Sequence, residues 1–208
     1  EFRRVLFRSL RYADGRVTPD GNWFVCVLER HHTDSPPDNE LVAVATDGSG
    51  AMNLLAAGAD FYAAPRVSPD GRHLVWVQWM HPNMPWDSTE LWIGDLENGQ
   101  LTGARPLAGN GDEALQEPRW QSDGTLVVAT DRTNWWNLYT VDLRDGRLTP
   151  HVTGQFDIVE PHWDFGGARH AQGVHVVAEP DRDLLSNGID VRSEEHTSEL
   201  QSHSFISY

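Results

Sequence analysis

Short apolar runs separated by polar turns recur along most of this chain. The clearest case is residues 65–96, PRVSPDGRHLVWVQWMHPNMPWDSTELWIGDL. Apolar runs at 74–79 and 91–96 flank an aromatic loop at 80–87, and the turn Ser68-Pro69-Asp70-Gly71 precedes them. Proline presets φ for such a turn and glycine tolerates positive φ, so the reversal has a mechanism. Val, Ile, Leu and Trp in the runs suit a pleated, largely buried surface, which predicts a β-meander.

The same unit returns. Its turn glycines are Gly21, Gly71, Gly124 and Gly167, at spacings of 50, 53 and 43 residues. A proline lies six residues before three of them (Pro65, Pro118, Pro161), and Val17, Val67, Trp120 and Trp163 lie four before. Apolar runs follow at 23–28, 74–79 and 126–129, then at 41–45, 91–96 and 138–143. Each of the later runs ends in a second turn, Asp47-Gly48, Asn98-Gly99 or Asp145-Gly146, and a short run begins at Met52, Leu101 or Leu148. Four strands per unit at this period predict an all-β fold, a β-propeller fragment of about three and a half four-stranded blades. The blades are expected near residues 10–60, 64–107, 117–153 and 159–191. An antiparallel sandwich with coincidental turn spacing is the alternative.

Charge and composition narrow the partners. The formal net charge is −15, and all 16 basic residues are arginines. Nucleic-acid affinity rests on basic side chains meeting phosphates, so nucleic acid and anionic membrane are not expected partners. Cys26 is the single cysteine, which allows no intramolecular disulfide. No apolar run approaches the length of a membrane span. No signal peptide is visible, and the expected compartment is the cytoplasm.

The two ends differ from the middle. Residues 1–9 and 192–200, EFRRVLFRS and RSEEHTSEL, can be written as translations of two complementary DNA strands. Protein selection does not produce that relation. Residues 1–9 and 192–208 are therefore expected to be translated sequencing adaptor, an artefact outside fold reasoning. Residues 10–191 are then an internal segment of a longer protein. An open arc of blades exposes strand edges and apolar faces, so association is expected of it.

In blade two, the turn 68–72, the stretch Trp79-x-His81-Pro82-Asn83-Met84-Pro85-Trp86-Asp87 and Thr89-Glu90-Leu91-Trp92 resemble the N-terminal propeller of the prolyl oligopeptidase family of serine peptidases. The likeness is to members of dipeptidyl aminopeptidase and acylaminoacyl peptidase type. Asp131-Arg132-Thr133-x-Trp135-Trp136-Asn137-Leu138-Tyr139 and Glu160-Pro161-x-Trp163-x-Phe165-Gly166 extend it. The resemblance implies a C-terminal α/β-hydrolase domain that carries a Ser-Asp-His triad, with the propeller limiting access to short peptides. A nucleophile elbow needs Gly-x-Ser-x-Gly, and no serine here has glycine two before and two after. No catalytic residue, cofactor or metal is therefore expected in this chain. A stand-alone propeller of the Tol-associated kind, acting as a protein-binding module, is the alternative function. A carbohydrate-binding propeller rests only on exposed tryptophans.

Antiparallel strand order puts the Asp-Gly turns on one face. It puts the loops between second and third strands on the other, together with the blade-to-blade connections. The loops at 80–87 and 130–137 are thus expected to face the hydrolase cavity. One reading has Trp79, Met80, Trp86, Trp135 and Trp136 shaping that cavity, with Arg132 holding a carboxylate, either the substrate's or a neighbouring acid's. The other has the tryptophans packing between blades and Arg132 paired with Asp131 or Asp87. His31, His32, His162, His170 and His175 match no zinc spacing. Asp112, Glu113 and Glu117 form an acidic connection that either attracts a substrate amino group or is simply solvated.

Overall fold

The structure is a computed structural model that describes residues 9–109, 111–160 and 165. The chain divides into two units, 1–174 and 175–208, and every described residue belongs to the first.

Among the described residues, twelve strands form three four-stranded antiparallel sheets. The first holds β1 (Leu10–Val17), β2 (Trp23–Arg30), β3 (Asp38–Ala45) and β4 (Met52–Ala57). The second holds β5 (Phe61–Val67), β6 (His73–Trp79), β7 (Glu90–Glu97) and β8 (Gln100–Ala108). The third holds β9 (Leu115–Trp120), β10 (Leu126–Thr130), β11 (Asn137–Val141) and β12 (Leu148–Val152). Each sheet is a meander in chain order, and β5 touches both β1 and β9. The sheets are therefore three successive blades of a propeller, with β1, β5 and β9 innermost. A two-sheet sandwich is ruled out by this order. The expected fourth blade falls on 159–191, almost all outside the described residues, as do both terminal segments expected to be adaptor.

The core lies between blades, because a strand side chain alternates faces and each blade face must be covered. Val25, Val27, Leu41 and Ala43 of blade one pack on Tyr62, Leu74, Trp76 and Leu96 of blade two. Val75, Val77, Leu91, Ile93 and Leu107 pack in turn on Leu115, Leu126, Val128 and Val141 of blade three. The other face of blade three buries Ala114, Val127, Ala129, Trp136 and Leu138 with Val159.

Each inner strand carries a register shift at the same place in the repeat. Asp14, Ala64 and Glu117 sit there with φ of 49°, 51° and 49°. A bulge of this kind breaks the two-residue alternation. That is why β5 begins at Phe61 and β9 at Leu115, slightly ahead of the starts expected from apolar pattern alone. The turn glycines behave as their positions require, with φ of 77°, 74° and 84° at Gly21, Gly71 and Gly124.

Candidate functional site: the loop-and-crossover face

The loops between second and third strands meet the blade-to-blade crossovers on one face, and long-range hydrogen bonds join them. At the first junction, Asp60 accepts from the His81 amide at 2.8 Å through its carboxylate and from Asn39 Nδ2 at 2.6 Å through its carbonyl. At the second, Thr89 Oγ1 donates to the Leu115 carbonyl at 2.8 Å and accepts from the Leu115 amide at 2.6 Å. At the third, Asp157 accepts the Trp136 amide at 2.8 Å, and Asn137 Nδ2 donates to the Phe156 carbonyl at 2.7 Å.

An ion pair lies on this face. Arg132 grips Glu113 in a two-point fork, Nε to Oε2 and Nη2 to Oε1, both at 3.1 Å. Thr130 Oγ1 adds a third donor to Glu113 Oε2 at 2.8 Å. The Glu113 side chain is 4% exposed and that of Arg132 is 33% exposed. The Arg132 guanidinium also stands 5.4 Å from the Tyr139 ring centroid, within cation–π range. Beside the pair, Asp131 accepts the Ala114 amide at 2.9 Å. Burial pushes the Asp131 carboxyl above the usual aspartate range; the Ala114 hydrogen bond opposes the shift and the Glu113 charge reinforces it.

This geometry corrects two expectations. Arg132 pairs with Glu113, from the crossover, and not with Asp131 or Asp87. Of the acidic connection only Asp112 is solvated, because Glu113 and Glu117 are each only 4% exposed. Sequence pattern could not pair Glu113 with Arg132, since they lie 19 residues apart on different segments.

The six expected cavity residues divide. Trp136 is buried in the core on the far side of blade three, and Trp86 packs half-buried against the same cluster. Trp79 packs on the core between blades two and three and stacks on Phe61 at 5.2 Å. Met80 and Trp135 are exposed, at 49% and 38%. Met84, which sequence reasoning had left out, is equally open at 46%. It sits in the same loop as Met80, and Pro82 and Pro85 close by were the signal that it stands out from a strand.

Among the described residues no group of three or more His, Cys, Asp or Glu is placed to hold a metal. His31 and His32 contact Glu29 and Asp38 separately, and the other three histidines of the expected cluster lie outside the described residues. The Cys26 thiol is buried, which pushes its pKa up to about 11 and keeps it unreactive.

Comparison with known proteins gives the lineage. No protein-family model matches the chain. A puromycin hydrolase of solved structure is 38% identical, with a TM-score of 0.71, over 76% of this chain and 25% of its own. Dipeptidyl-peptidase 5 of Porphyromonas gingivalis is 27% identical over 50% of this chain and 14% of its own length. Prolyl oligopeptidase B of Galerina marginata shares the fold at 15% identity, with a TM-score of 0.56, over 71% of this chain and 22% of its own. These matches bear out the resemblance to the propeller of the prolyl oligopeptidase family. The stretch 79–92 that carries the likeness forms the end of β6, the loop after it and the start of β7. TolB of Acinetobacter baumannii shares only the fold, at 19% identity and a TM-score of 0.51, over 70% of this chain and 33% of its own.

Proposed function

We propose that this chain is the non-catalytic propeller of a serine peptidase, and that it gates and shapes the access of short peptides to an α/β-hydrolase domain encoded beyond these 208 residues. The chain spans about a quarter of the puromycin hydrolase and a seventh of the dipeptidyl-peptidase, so the rest of such an enzyme has ample length outside it. The observation that carries the reading is the loop-and-crossover face. Exposed Met80, Met84 and Trp135 stand there on loops anchored by bonds to the crossovers. Anchored loops hold apolar side chains in place before a ligand arrives, which lowers the ordering cost of contact. Flexible Met and flat Trp suit peptides with varied apolar side chains. In the parent enzyme, hydrolysis is acyl transfer to water through a serine ester, and this chain supplies sieving and apolar contact.

The test uses the parent polypeptide with Met80→Ala and Trp135→Ala. The expected result is a several-fold fall in kcat/KM for apolar short peptides with an unchanged melting temperature. Unchanged kcat/KM at every peptide length would overturn the gating role.

A further inference from the structure

The inner strands carry an arginine at one position of the repeat: Arg16 in β1, Arg66 in β5 and Arg119 in β9, each five residues before its turn glycine. Each follows two residues after the positive-φ residue of the bulge, so the same backbone irregularity presents all three. Each also lies within one residue of its strand's end, and the strands are the innermost of neighbouring blades. The three therefore sit at the turn ends of the innermost strands, close to the mouth ringed by the Asp-Gly turns. In the fourth repeat the position belongs to His162, outside the described residues.

The arginines are mutually close in charge. Burial lowers the pKa of Arg66; Asp14 opposes this, and Arg16 and Arg119 reinforce it. Burial likewise lowers that of Arg119, against Glu117 and with Arg16. The Asp14 side chain is fully buried; its carboxylate bonds Arg66 Nη1 at 3.1 Å and accepts the Ala64 amide at 2.6 Å. Arg16 is exposed, with Nη1 donating to the Gly15 carbonyl at 2.8 Å. Three cations here face two inner-strand carboxylates, Asp14 and Glu117, in a protein whose formal net charge is −15. A local positive site in an acidic protein runs against the overall field. Guanidinium forks match the planar, two-oxygen geometry of oxyanions.

We propose that Arg16, Arg66 and Arg119 form an oxyanion-binding arc on the propeller axis, at the mouth opposite the loop-and-crossover face. The ligand chemistry is a carboxylate or a phosphate, whose oxygens would lie between guanidiniums of adjacent blades. The inference is independent of the peptidase reading, because it concerns the other mouth and needs no hydrolase domain.

The test titrates the 208-residue chain at constant ionic strength with inorganic phosphate, with a short peptide bearing a free C-terminal carboxylate, and with the same peptide as its C-terminal amide. Thermal midpoint and calorimetric heat are the readouts. The expected result is saturable binding of phosphate or of the free-acid peptide, with none by the amide, and the responding arm identifies the source of the oxyanion. Arg16→Gln, at an exposed side chain, is expected to weaken that binding at least tenfold, as is Arg119→Gln. Arg72→Gln, at an exposed arginine of the turn, is expected to leave it unchanged. No saturable response from either oxyanion overturns the proposal. So does equal loss in Arg72→Gln, or binding that Arg16→Gln and Arg119→Gln leave intact.

Discussion

The two faces of this propeller segment are held by different means. On the turn face, the reversals are satisfied chiefly from within a few residues, although Thr46 Oγ1 also donates to the Gly21 carbonyl at 2.6 Å and Asn53 Nδ2 to the Gly99 carbonyl at 2.9 Å. In blade two, Ser68 Oγ donates to Asp70 at 2.5 Å and accepts the His73 amide at 2.9 Å, while Asp70 accepts the Arg72 amide at 3.1 Å. Blade one repeats this with Thr18, Asp20, Asn22 and Trp23. On the opposite face the partners come from distant segments, as with Thr89 and Leu115 or Glu113 and Arg132. Local satisfaction needs only the right residue types in order. Distant satisfaction needs the blades to be packed first, so damage there should cost more and spread further.

The largest effect is expected from tryptophan truncation on the long-range face. Trp136→Ala is expected to cost about 3–5 kcal/mol, because it empties a packed site, whereas the exposed neighbour Trp135 should cost under about 1 kcal/mol when truncated. Equal denaturation midpoints for the two variants would remove the distinction between core and surface aromatics on this face.

Next is the ion pair. Glu113→Ala leaves Arg132 and Thr130 without their shared acceptor, and a loss of about 3 kcal/mol is expected, since removing one partner strands the other. The turn-face counterpart, Ser68→Ala, removes a local hydroxyl, for which about 1 kcal/mol is expected. Urea denaturation of both variants checks the order; a reversal would mean that the local turns dominate stability.

Two glycines refine the contrast within the turn face. Gly21 and Gly99 have φ of 77° and 68°. A Cβ at Gly21 meets nothing within 4 Å, whereas one at Gly99 would lie 2.3 Å from the Trp23 ring of the neighbouring blade. Gly21→Ala is expected to cost about 1 kcal/mol, from the backbone alone. Gly99→Ala should cost distinctly more, read as a lower melting temperature, because Trp23 must move.

The smallest effects are expected from titration, and they have opposite signs on the two faces. Asp70 is held below the usual aspartate range, first by the Ser68 hydrogen bond and then by the Arg72 amide. Its lower folded pKa contributes stability above the unfolded value, near 3.9, that fades as pH falls through the folded value. Asp131 is shifted upward by burial, so its ionisation opposes folding as pH rises past the unfolded value. Asp131→Asn keeps an acceptor for Ala114, and its stability relative to the unsubstituted chain is expected to increase between pH 4 and pH 7. A pH-independent difference would show that the Asp131 charge is not opposed.

The repeat was legible because turn chemistry and strand pattern are local. Ser68-Pro69-Asp70-Gly71 announces its reversal through proline and glycine, and the β6 and β7 runs announce a buried sheet through Val, Ile and Trp. The start of β5 was less legible, because the bulge at Ala64 interrupts the alternation. The site was half legible. Chain order alone put residues 80–87 and 130–137 on one face, but adjacent Trp135 and Trp136 look alike in sequence and only packing buries one of them.

Taken by itself, the sequence determined the all-β repeat, the turn positions, the family likeness and the face on which the aromatic loops lie. These depend on residue type and spacing within one repeat, where the physics is short-range. Tertiary structure alone decided that Glu113 is buried against Arg132, that Asp14 reaches across to Arg66, and that three arginines fifty or so residues apart end the innermost strands of neighbouring blades. Those outcomes depend on blades stacking side by side, which brings equal positions of successive repeats into reach of one another's charge.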